Sequence, residues 1–166
     1  EMCHSLVGSE MCIRDSSIDD NARFAIVAAR FNSEIVNNLL LGTINTLQTK
    51  GVSVSNIDIL KVPGAFELPV LAQHLADTSK YAAIITLGCV IRGDTPHFDY
   101  VAGECARGIM EVSLNSGVPV IFGVLTTDTA EQARARSDLG GVNKGVDCAL
   151  CALEMTTTIR HIQAEL

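Results

Sequence analysis

The chain has 166 residues, of which 48% are hydrophobic and 19% are charged, a balance typical of one globular domain and not of a disordered segment. No apolar run reaches about 18 residues, which argues against a membrane-spanning helix. The net charge of −7 argues against a nucleic-acid-binding protein, because such proteins are usually basic.

The first sixteen residues, EMCHSLVGSEMCIRDS, repeat Glu-Met-Cys and show no amphipathic period. They also lack the long apolar region of a signal peptide. We interpret residues 1–16 as a non-native segment, such as translated adapter sequence, or as disordered. Residues 17–166 are expected to form a single domain, because no linker or low-complexity stretch divides them.

Short apolar runs alternate with segments of helical period from residue 22 onward. Strands are predicted at residues 23–29, 56–62, 82–90 and 119–126. Helices are predicted at residues 33–50, from Phe66 or Glu67 to residue 77, at 97–116, shortly after Asp128, and at 143–164. This alternation implies parallel strands with right-handed crossovers. The predicted fold is a three-layer α/β/α sandwich with a four-stranded, flavodoxin-like parallel sheet.

Several residues predict where the helices begin and end. Ser33 is the expected N-cap of the first long helix, and Gly51 is its stop. Pro69 is tolerated only in a first helical turn. Asp128 with Glu131 has the spacing of a capping box. The last helix is apolar almost all round, which points to a subunit contact as well as a core position.

Aromatic residues follow three of the four predicted strands. Phe31, Phe66 and Phe98 come after the first, second and third strands, and Phe122 lies within the fourth. Ligands of open parallel sheets bind beyond the carboxyl ends of the strands, where a flat ring could stack on these side chains. With so few aromatic residues in the chain, chance is the competing explanation.

Polar side chains lie at the first two strand ends. Asn32 offers donors and an acceptor, and Glu67 offers a carboxylate that can accept hydrogen bonds from ring N–H groups. The commoner use of an acid such as Glu67 is to favour the dipole of a first helical turn.

The third strand end carries the richest pattern. Gly93, Asp94 and Thr95 precede a helix opened by Pro96, and backbone N–H groups at such a junction form an anion site. The spacing from Gly88 to Thr95 nearly matches a nucleotide phosphate loop, but Asp94 stands where that loop requires lysine. We therefore reject a nucleotide triphosphatase and retain a smaller phosphate held by backbone amides.

His97 lies in the first turn of the helix that follows this anion site. The helix dipole lowers the pKa of an imidazole at that position and a bound anion raises it, and a group balanced in this way suits proton transfer. A surface or packing histidine is about as common an explanation. His74 and His161 are expected in mid-helix with no converging groups.

Two cations, Arg136 and Lys144, flank a glycine-containing turn after the fourth strand. Both can bind phosphate, although a solvated surface position is the ordinary use of such residues. Cys148 and Cys151 have a CxxC spacing inside a helix, where thiols are not activated, so we read them with Cys89 and Cys105 as buried thiols of a reducing compartment.

Taken together, the motifs of the chain resemble those of the lumazine synthase family. The resemblance covers roughly residues 22–164 and rests on ARFN, PGAFELP, GCVIRGDTPHFDYV, PVIFGVLTTDTAEQA and NKGVDCALCALEM, in the order and spacing of that family. It implies condensation of 5-amino-6-ribitylaminouracil with 3,4-dihydroxy-2-butanone 4-phosphate to 6,7-dimethyl-8-ribityllumazine, phosphate and water. It also implies that no metal or organic cofactor takes part.

The resemblance assigns roles to particular residues. His97 is the proton-transfer residue. The phosphate site is implied to comprise Gly93, Asp94, Thr95, Arg136 and, as a weaker carry-over, Lys144. The pyrimidine and ribityl site is implied to comprise Phe31, Ala65, Phe66, Glu67, Cys89, Val90, Ile91 and, more weakly, Asn32, with Phe122 supplied by a neighbouring subunit. The family's sites lie between the subunits of a homopentamer.

One loop departs from the family pattern. Residues 138–142 read Asp-Leu-Gly-Gly-Val where the family usually has a sequence close to Gly-Thr-Lys-x-Gly, so one cation is missing and phosphate binding is expected to depend more on Arg136. The loop keeps the length that is compatible with sixty-subunit shells in the family, and we expect at least a pentamer. A bacterial cytoplasm or a plastid is the implied location.

Two other functions use many of the same residues. A flavin- or nucleotide-binding module without catalysis would use the same strand ends but would give His97 and Arg136 no special task. A shell-forming or lumazine-carrying relative that has lost turnover is the second alternative, and the presence of His97 argues against it.

Overall fold

The structure, a computed structural model, describes residues 21–165. The four strands are β1 (Phe24–Ala29), β2 (Ile57–Val62), β3 (Ala83–Ile91) and β4 (Val120–Thr127). The five helices are α1 (Ser33–Thr49), α2 (Leu68–Asp77), α3 (His97–Ser116), α4 (Ala130–Ala135) and α5 (Lys144–Ala164). The interpretation of residues 1–16 as a non-native or disordered segment lies outside the described residues.

The strands form one all-parallel sheet in the order β2-β1-β3-β4. Helices α1 and α5 pack on one face of this sheet, and α2 and α3 pack on the other. The predicted three-layer sandwich with a four-stranded parallel sheet is therefore confirmed. The helix connections place the carboxyl ends of all four strands along a single edge of the sheet.

Strand β1 shows why the apolar runs of this chain form strands. Phe24, Ile26 and Ala28 contribute to the core beneath α1 and α5, whereas Ala25 and Val27 contribute to the core beneath α2 and α3. All six residues of β1 are buried. Both faces of the strand are covered by helices, so its sequence is continuously apolar instead of alternating.

The capping of α1 differs from the expectation. The N-cap is Asn32, not Ser33, and Asn32 adopts a left-handed backbone conformation with φ of 55°. Asparagine tolerates this conformation better than most residues. The predicted stop at Gly51 is confirmed, since its φ of 97° is a backbone conformation that residues other than glycine rarely adopt.

The capping box of α4 is displaced by one residue from the predicted pair of Asp128 and Glu131. Thr129 Oγ1 accepts a hydrogen bond from the Gln132 backbone N–H at 3.2 Å, and Gln132 Oε1 accepts from the Thr129 backbone N–H at 3.3 Å. Thr129 and Gln132 satisfy the same geometry, and the Asp128 carboxylate is thereby left to bind another partner.

Helices α1 and α5 approach each other closely where α5 begins. Thr43 donates to the backbone carbonyl of Gly145 at 3.0 Å, and the Gly145 N–H donates to Asn143 Oδ1 at 2.9 Å. Asn143 in turn donates to the carbonyl of Asn38 at 3.0 Å. These buried hydrogen bonds fix the start of α5, and with it the backbone of Lys144, against the sheet. Among the helices of residues 21–165, none combines the length and apolarity needed to cross a bilayer.

Candidate active site

The loops that follow the four strands are joined to one another along the carboxyl edge of the sheet. The Arg30 N–H donates to the Val62 carbonyl at 2.8 Å, and the Phe31 N–H donates to the Pro63 carbonyl at 3.1 Å. On the other side, the Arg92 N–H donates to the Thr127 carbonyl at 2.9 Å. Backbone hydrogen bonds thus join the end of β1 to the end of β2, and the end of β3 to the end of β4, along the edge where the parallel topology predicts a ligand site.

Two of the three predicted strand-end aromatics are open to ligands. Phe31 is 70% exposed and Phe66 is 57% exposed, which is unusual for large apolar rings and is consistent with stacking surfaces. The expectation fails for Phe98, which is half-buried and has the Arg92 guanidinium 4.2 Å from its ring centroid. That ring face is occupied by a contact within the chain.

Asn32 joins the loop after β1 to β3. Its Nδ2 donates to the Cys89 carbonyl at 2.9 Å, so the amide nitrogen has a structural role. The amide oxygen accepts no hydrogen bond from the described residues. The Cys89 side chain is only 2% exposed, and burial raises the pKa of its thiol to about 11. Val90 and Ile91, the next two residues of β3, are partly exposed.

Ala65 and Glu67 lie in a short 3₁₀ turn, Ala65–Glu67, that leads from β2 into α2. Ala65 is buried, and the half-buried Glu67 accepts a hydrogen bond from the Gly64 backbone N–H at 2.9 Å through Oε2. The carboxylate therefore performs the ordinary structural task of capping a helical turn. That task engages Oε2, and Oε1 accepts no hydrogen bond from the described residues.

The loop after β3 presents its backbone to solvent. Gly93, Asp94 and Thr95 are exposed, and within residues 21–165 their backbone N–H groups donate no hydrogen bond. Pro96 is the N-cap of α3 and His97 is its first residue, as predicted. Free amides beside the positive end of a 20-residue helix favour an anion at this position.

His97 lies directly after this amide-rich loop and is exposed. No described residue makes a hydrogen bond or ion pair with its imidazole, so the ring is open to contact with a bound molecule. The loop that leads to His97 starts at the end of β3, and this strand end adjoins the β1 end followed by Phe31, because β1 and β3 are neighbours in the sheet.

Arg136 and Lys144 lie together although eight positions separate them in the sequence. The Lys144 N–H donates to the Arg136 carbonyl at 2.8 Å, and Ser137 pairs with Asn143 between them. Arg136 donates to the Gln132 carbonyl at 2.9 Å and remains exposed, whereas the Lys144 ammonium pairs with Asp147 at 2.7 Å. Arg136 is therefore the freer of the two cations.

Phe122 does not join the other predicted residues in its own chain. Phe122 lies part-way along β4, the edge strand, where it pairs with Thr86 of β3. Its side chain is exposed, with 44% of the residue accessible. Thr127, the last residue of β4, is five positions further on, which corresponds to about 16 Å of strand. Phe122 is consequently remote from the carboxyl edge of its own sheet.

The family model of 6,7-dimethyl-8-ribityllumazine synthase matches residues 21–160. The chain belongs to this family. Membership makes the protein a transferase of the lumazine synthase type, and its small-molecule substrates are those of a biosynthetic condensation. The fold agrees, since the four-stranded parallel sheet with five helices is the flavodoxin-like arrangement expected of a lumazine synthase.

Arg92, the first residue after β3, makes contacts at this edge of the sheet that the sequence analysis did not single out. Its Nε donates to Asp128 at 3.0 Å and its Nη1 donates to Asp99 at 3.1 Å. These hydrogen bonds, first to Asp128 and then to Asp99, raise the pKa of Arg92. The sequence could have indicated these ion pairs only through the place of Arg92 between a strand and a glycine turn. Its carboxylate partners lie 7 and 36 positions away in the sequence.

The two thiols of the CxxC pair differ in burial. Cys148 is buried as predicted, but Cys151 is exposed, so the prediction of a buried thiol is wrong for Cys151. Burial, and then the neighbouring Cys151 and Asp147, raise the pKa of Cys148 to about 12, whereas a redox-active thiol needs a lowered pKa. Within residues 21–165, no three His, Cys, Asp or Glu side chains are grouped in a way that could hold a metal ion.

Proposed function

We propose that this lumazine synthase family member condenses 5-amino-6-ribitylaminouracil with 3,4-dihydroxy-2-butanone 4-phosphate, giving 6,7-dimethyl-8-ribityllumazine, phosphate and water. The observation that supports it most is the arrangement at the end of β3. A loop whose backbone amides donate no hydrogen bond among the described residues, Gly93–Thr95, leads through Pro96 into a helix whose first residue, His97, has no hydrogen bond or ion pair with any described residue. An anion and a proton-transfer group are thereby adjacent.

The phosphorylated ketone binds with its phosphate at this loop. The amides of Gly93, Asp94 and Thr95 and the positive end of α3 hold the anion, and Arg136 supplies the principal cation. Lys144 contributes less, because Asp147 already neutralises its ammonium. Since residues 138–142 lack the lysine usual in the family, affinity for the phosphate rests largely on Arg136.

The pyrimidine binds beside the phosphate, over the ends of β1 and β2. Phe31 stacks on the ring, and the backbone of residues 65–67 contacts the ring and its ribityl chain. The remaining lining is proposed by analogy with the family from Asn32, Ala65, Phe66, Glu67, Cys89, Val90 and Ile91. Cys89 contributes its backbone and not its thiol, because the residue is only 2% exposed.

His97 moves the protons that the reaction requires. The amine of the pyrimidine attacks the ketone, water is lost to form an imine, phosphate is eliminated, and ring closure loses water. Each step transfers a proton to or from a heteroatom, and an imidazole is suited to both directions. Holding two reactants in one cavity supplies much of the remaining acceleration.

The site is proposed to be completed by a second copy of the chain in a homopentamer. Phe122 is exposed on the β4 edge and remote from its own strand ends, so a role in substrate binding requires an adjacent subunit. Exposed apolar side chains on α3 and α5 support such a contact: Met110, Leu114, Leu150 and Met155. A sixty-subunit shell of such pentamers fits the length of loop 138–142.

The proposal is tested by mixing the two substrates and following lumazine absorbance. We expect product formation that depends on both substrates and phosphate release in equal amount. Tight lumazine binding without product would favour the non-catalytic carrier, and binding of flavin or nucleotide alone would favour the binding module. Native mass measurement of the purified protein tests the assembly, for which a monomer at micromolar concentration would contradict the shared site.

A further inference from the structure

Arg92, the first residue after β3, connects two loops of the proposed site through its side chain. Its Nε donates to Asp128 at 3.0 Å, directly after β4, and its Nη1 donates to Asp99 at 3.1 Å, in the first turn of α3. The guanidinium also lies over the Phe98 ring at 4.2 Å from the centroid. One side chain therefore contacts both the start of α3 and the end of β4.

The partners of Arg92 in α3 are the two residues that follow His97. Phe98 covers one face of the guanidinium and Asp99 accepts a hydrogen bond from its edge, so the first turn of the helix is fixed in two directions. The intervening loop, Gly93–Thr95, is exposed and has no other hydrogen bond from its backbone N–H groups among the described residues. Its position depends on the residues at its two ends.

The partner of Arg92 beyond β4 leads to Arg136. The backbone N–H of Asp128 donates to Gln132 Oε1 at 2.9 Å, and Arg136 donates to the Gln132 backbone carbonyl at 2.9 Å. A continuous path of hydrogen bonds thus runs from Arg92 through Asp128 and Gln132 to Arg136. One end of this path is Arg92, which directly precedes the loop Gly93–Thr95, and the other end is Arg136.

The energetics favour a local role for Arg92 over a global one. Its side chain is 43% exposed, and each ion pair made at that exposure contributes little to stability. The planar guanidinium nevertheless has three partners, two in α3 and one directly after β4, and this combination restricts its orientation more than a single pair would. Loss of Arg92 is expected to loosen the loop without unfolding the domain.

We propose that Arg92 is a positioning residue for the phosphate of the ketone substrate, an inference that rests on the proposed function. It holds the amides of Gly93–Thr95 and the imidazole of His97 at a fixed place relative to Arg136. It does so through Asp99 and Phe98 on one side and Asp128 on the other.

The test compares Arg92→Gln and Arg92→Lys with a matched control, Arg107→Gln. Arg107 also pairs with two carboxylates, Glu104 and Glu111, but both are on its own helix and remote in sequence from the loop. For Arg92→Gln we expect kcat/KM for the phosphorylated ketone to fall about 10- to 100-fold, the size of effect that small misplacement of reacting groups produces. The KM for the pyrimidine should change less than about threefold.

Lysine should rescue little of the loss, because an ammonium cannot reach two carboxylates and cover a ring together. Arg107→Gln should retain wild-type kinetics, and both glutamine variants should unfold at similar temperatures. An equal loss in Arg92→Gln and Arg107→Gln, equal losses of kcat/KM for both substrates, or a kcat/KM for the ketone within twofold of wild type would overturn the proposal.

Binding of inorganic phosphate, measured by calorimetry, separates this inference from the proposed reaction. If the wild type forms no lumazine but binds phosphate and Arg92→Gln binds it at least tenfold more weakly, the positioning role stands and the reaction fails. If the wild type forms lumazine and both proteins bind phosphate equally, the reaction stands and the positioning role fails.

Discussion

A Cβ atom at Gly145 on α5 would overlap the backbone carbonyl of Leu39 on α1. The two helices meet at that point with no room for a side chain, and the buried hydroxyl of Thr43 hydrogen-bonds to both backbones. Because a carbonyl inside a helix cannot rotate away, one of the helices must move when a methyl group is added. The start of α5 is therefore packed against α1 without space for any side chain at Gly145.

Gly145→Ala should consequently destabilise the protein by about 1–3 kcal/mol or more, as overpacking does. Gly103→Ala is the matched control, since Gly103 also lies in a helix but a Cβ there meets nothing within 4 Å. The control should be neutral or stabilising by up to about 1 kcal/mol. Urea unfolding followed by circular dichroism measures both changes, and equal midpoints would show that α1 and α5 are not in such close contact.

The cysteines of the described chain should react with iodoacetamide in an order set by burial. Cys151 is exposed and should be alkylated first at pH 8, whereas Cys89, Cys105 and Cys148 are buried and should be protected until the protein unfolds. Peptide mass mapping with and without denaturant gives the order. Alkylation of Cys148 as fast as Cys151 in the folded protein would contradict the buried position of this part of α5.

The same thiols should make the protein less stable in alkali. Burial raises the pKa of Cys89 and of Cys105 to about 11 and that of Cys148 to about 12. An unfolded cysteine has a pKa of about 8.5, so unfolding releases protons between about pH 8.5 and these folded values. The stabilising effect of the neutral thiols is complete below that window and declines as pH rises through it.

Cys148→Ala isolates the contribution of one thiol to this decline. It should reduce the fall in the free energy of unfolding between pH 9 and pH 11 by up to about 1.4 kcal/mol per pH unit, whatever it does to stability at pH 7. Unfolding curves at several pH values measure the slope. An unchanged slope would mean that Cys148 ionises as readily in the folded protein as in the unfolded chain.

His97→Ala should lower kcat about 10²- to 10⁴-fold and leave measurable lumazine formation, because positioning of the two substrates does not depend on the imidazole. The KM values should change little. Steady-state kinetics with each substrate varied in turn measure these quantities. Complete loss of turnover with intact substrate binding would assign His97 a larger share of the catalysis than we propose.

Arg136→Gln should raise the KM for the phosphorylated ketone about 10- to 100-fold, the range expected for loss of a charge-assisted hydrogen bond. Lys144→Gln should raise it much less, because Asp147 already holds that ammonium at 2.7 Å. Asp147→Asn frees Lys144 and should lower the KM or leave it unchanged. A larger effect at Lys144 than at Arg136 would reverse the roles of the two cations.

Patterns within one element were enough to predict most of the fold. The apolar runs that became β1 and β3 are buried on both faces, and the helical periods of residues 33–49 and 97–116 are long enough to be distinct. The errors are of one or two residues and concern element boundaries and caps. Ser33 and Asp128 have suitable side chains, but Asn32 is recruited by the Cys89 carbonyl and Asp128 by Arg92.

The candidate site divides in the same way. A loop with Gly93 after a strand and His97 at a helix start could be predicted because all of its residues are consecutive. The hydrogen bond between Arg92 and Asp128 could not be predicted, because these residues are 36 positions apart in the sequence. They come close only because β3 and β4 are adjacent strands in the sheet. The exposure of Phe31 and the partial burial of Phe98 could not be predicted either, because the Phe98 ring is covered on one face by the side chain of Arg92.

The place of Phe122 in the middle of an edge strand has a consequence for mixed populations of chains. If one subunit provides Phe31 and its neighbour provides Phe122, a Phe31→Ala chain and a Phe122→Ala chain each carry the half that the other lacks. Co-assembly of two impaired proteins would then restore some cavities in which both rings are intact. Two inactive alleles of the same gene, one substituted at Phe31 and one at Phe122, would then complement each other when expressed together.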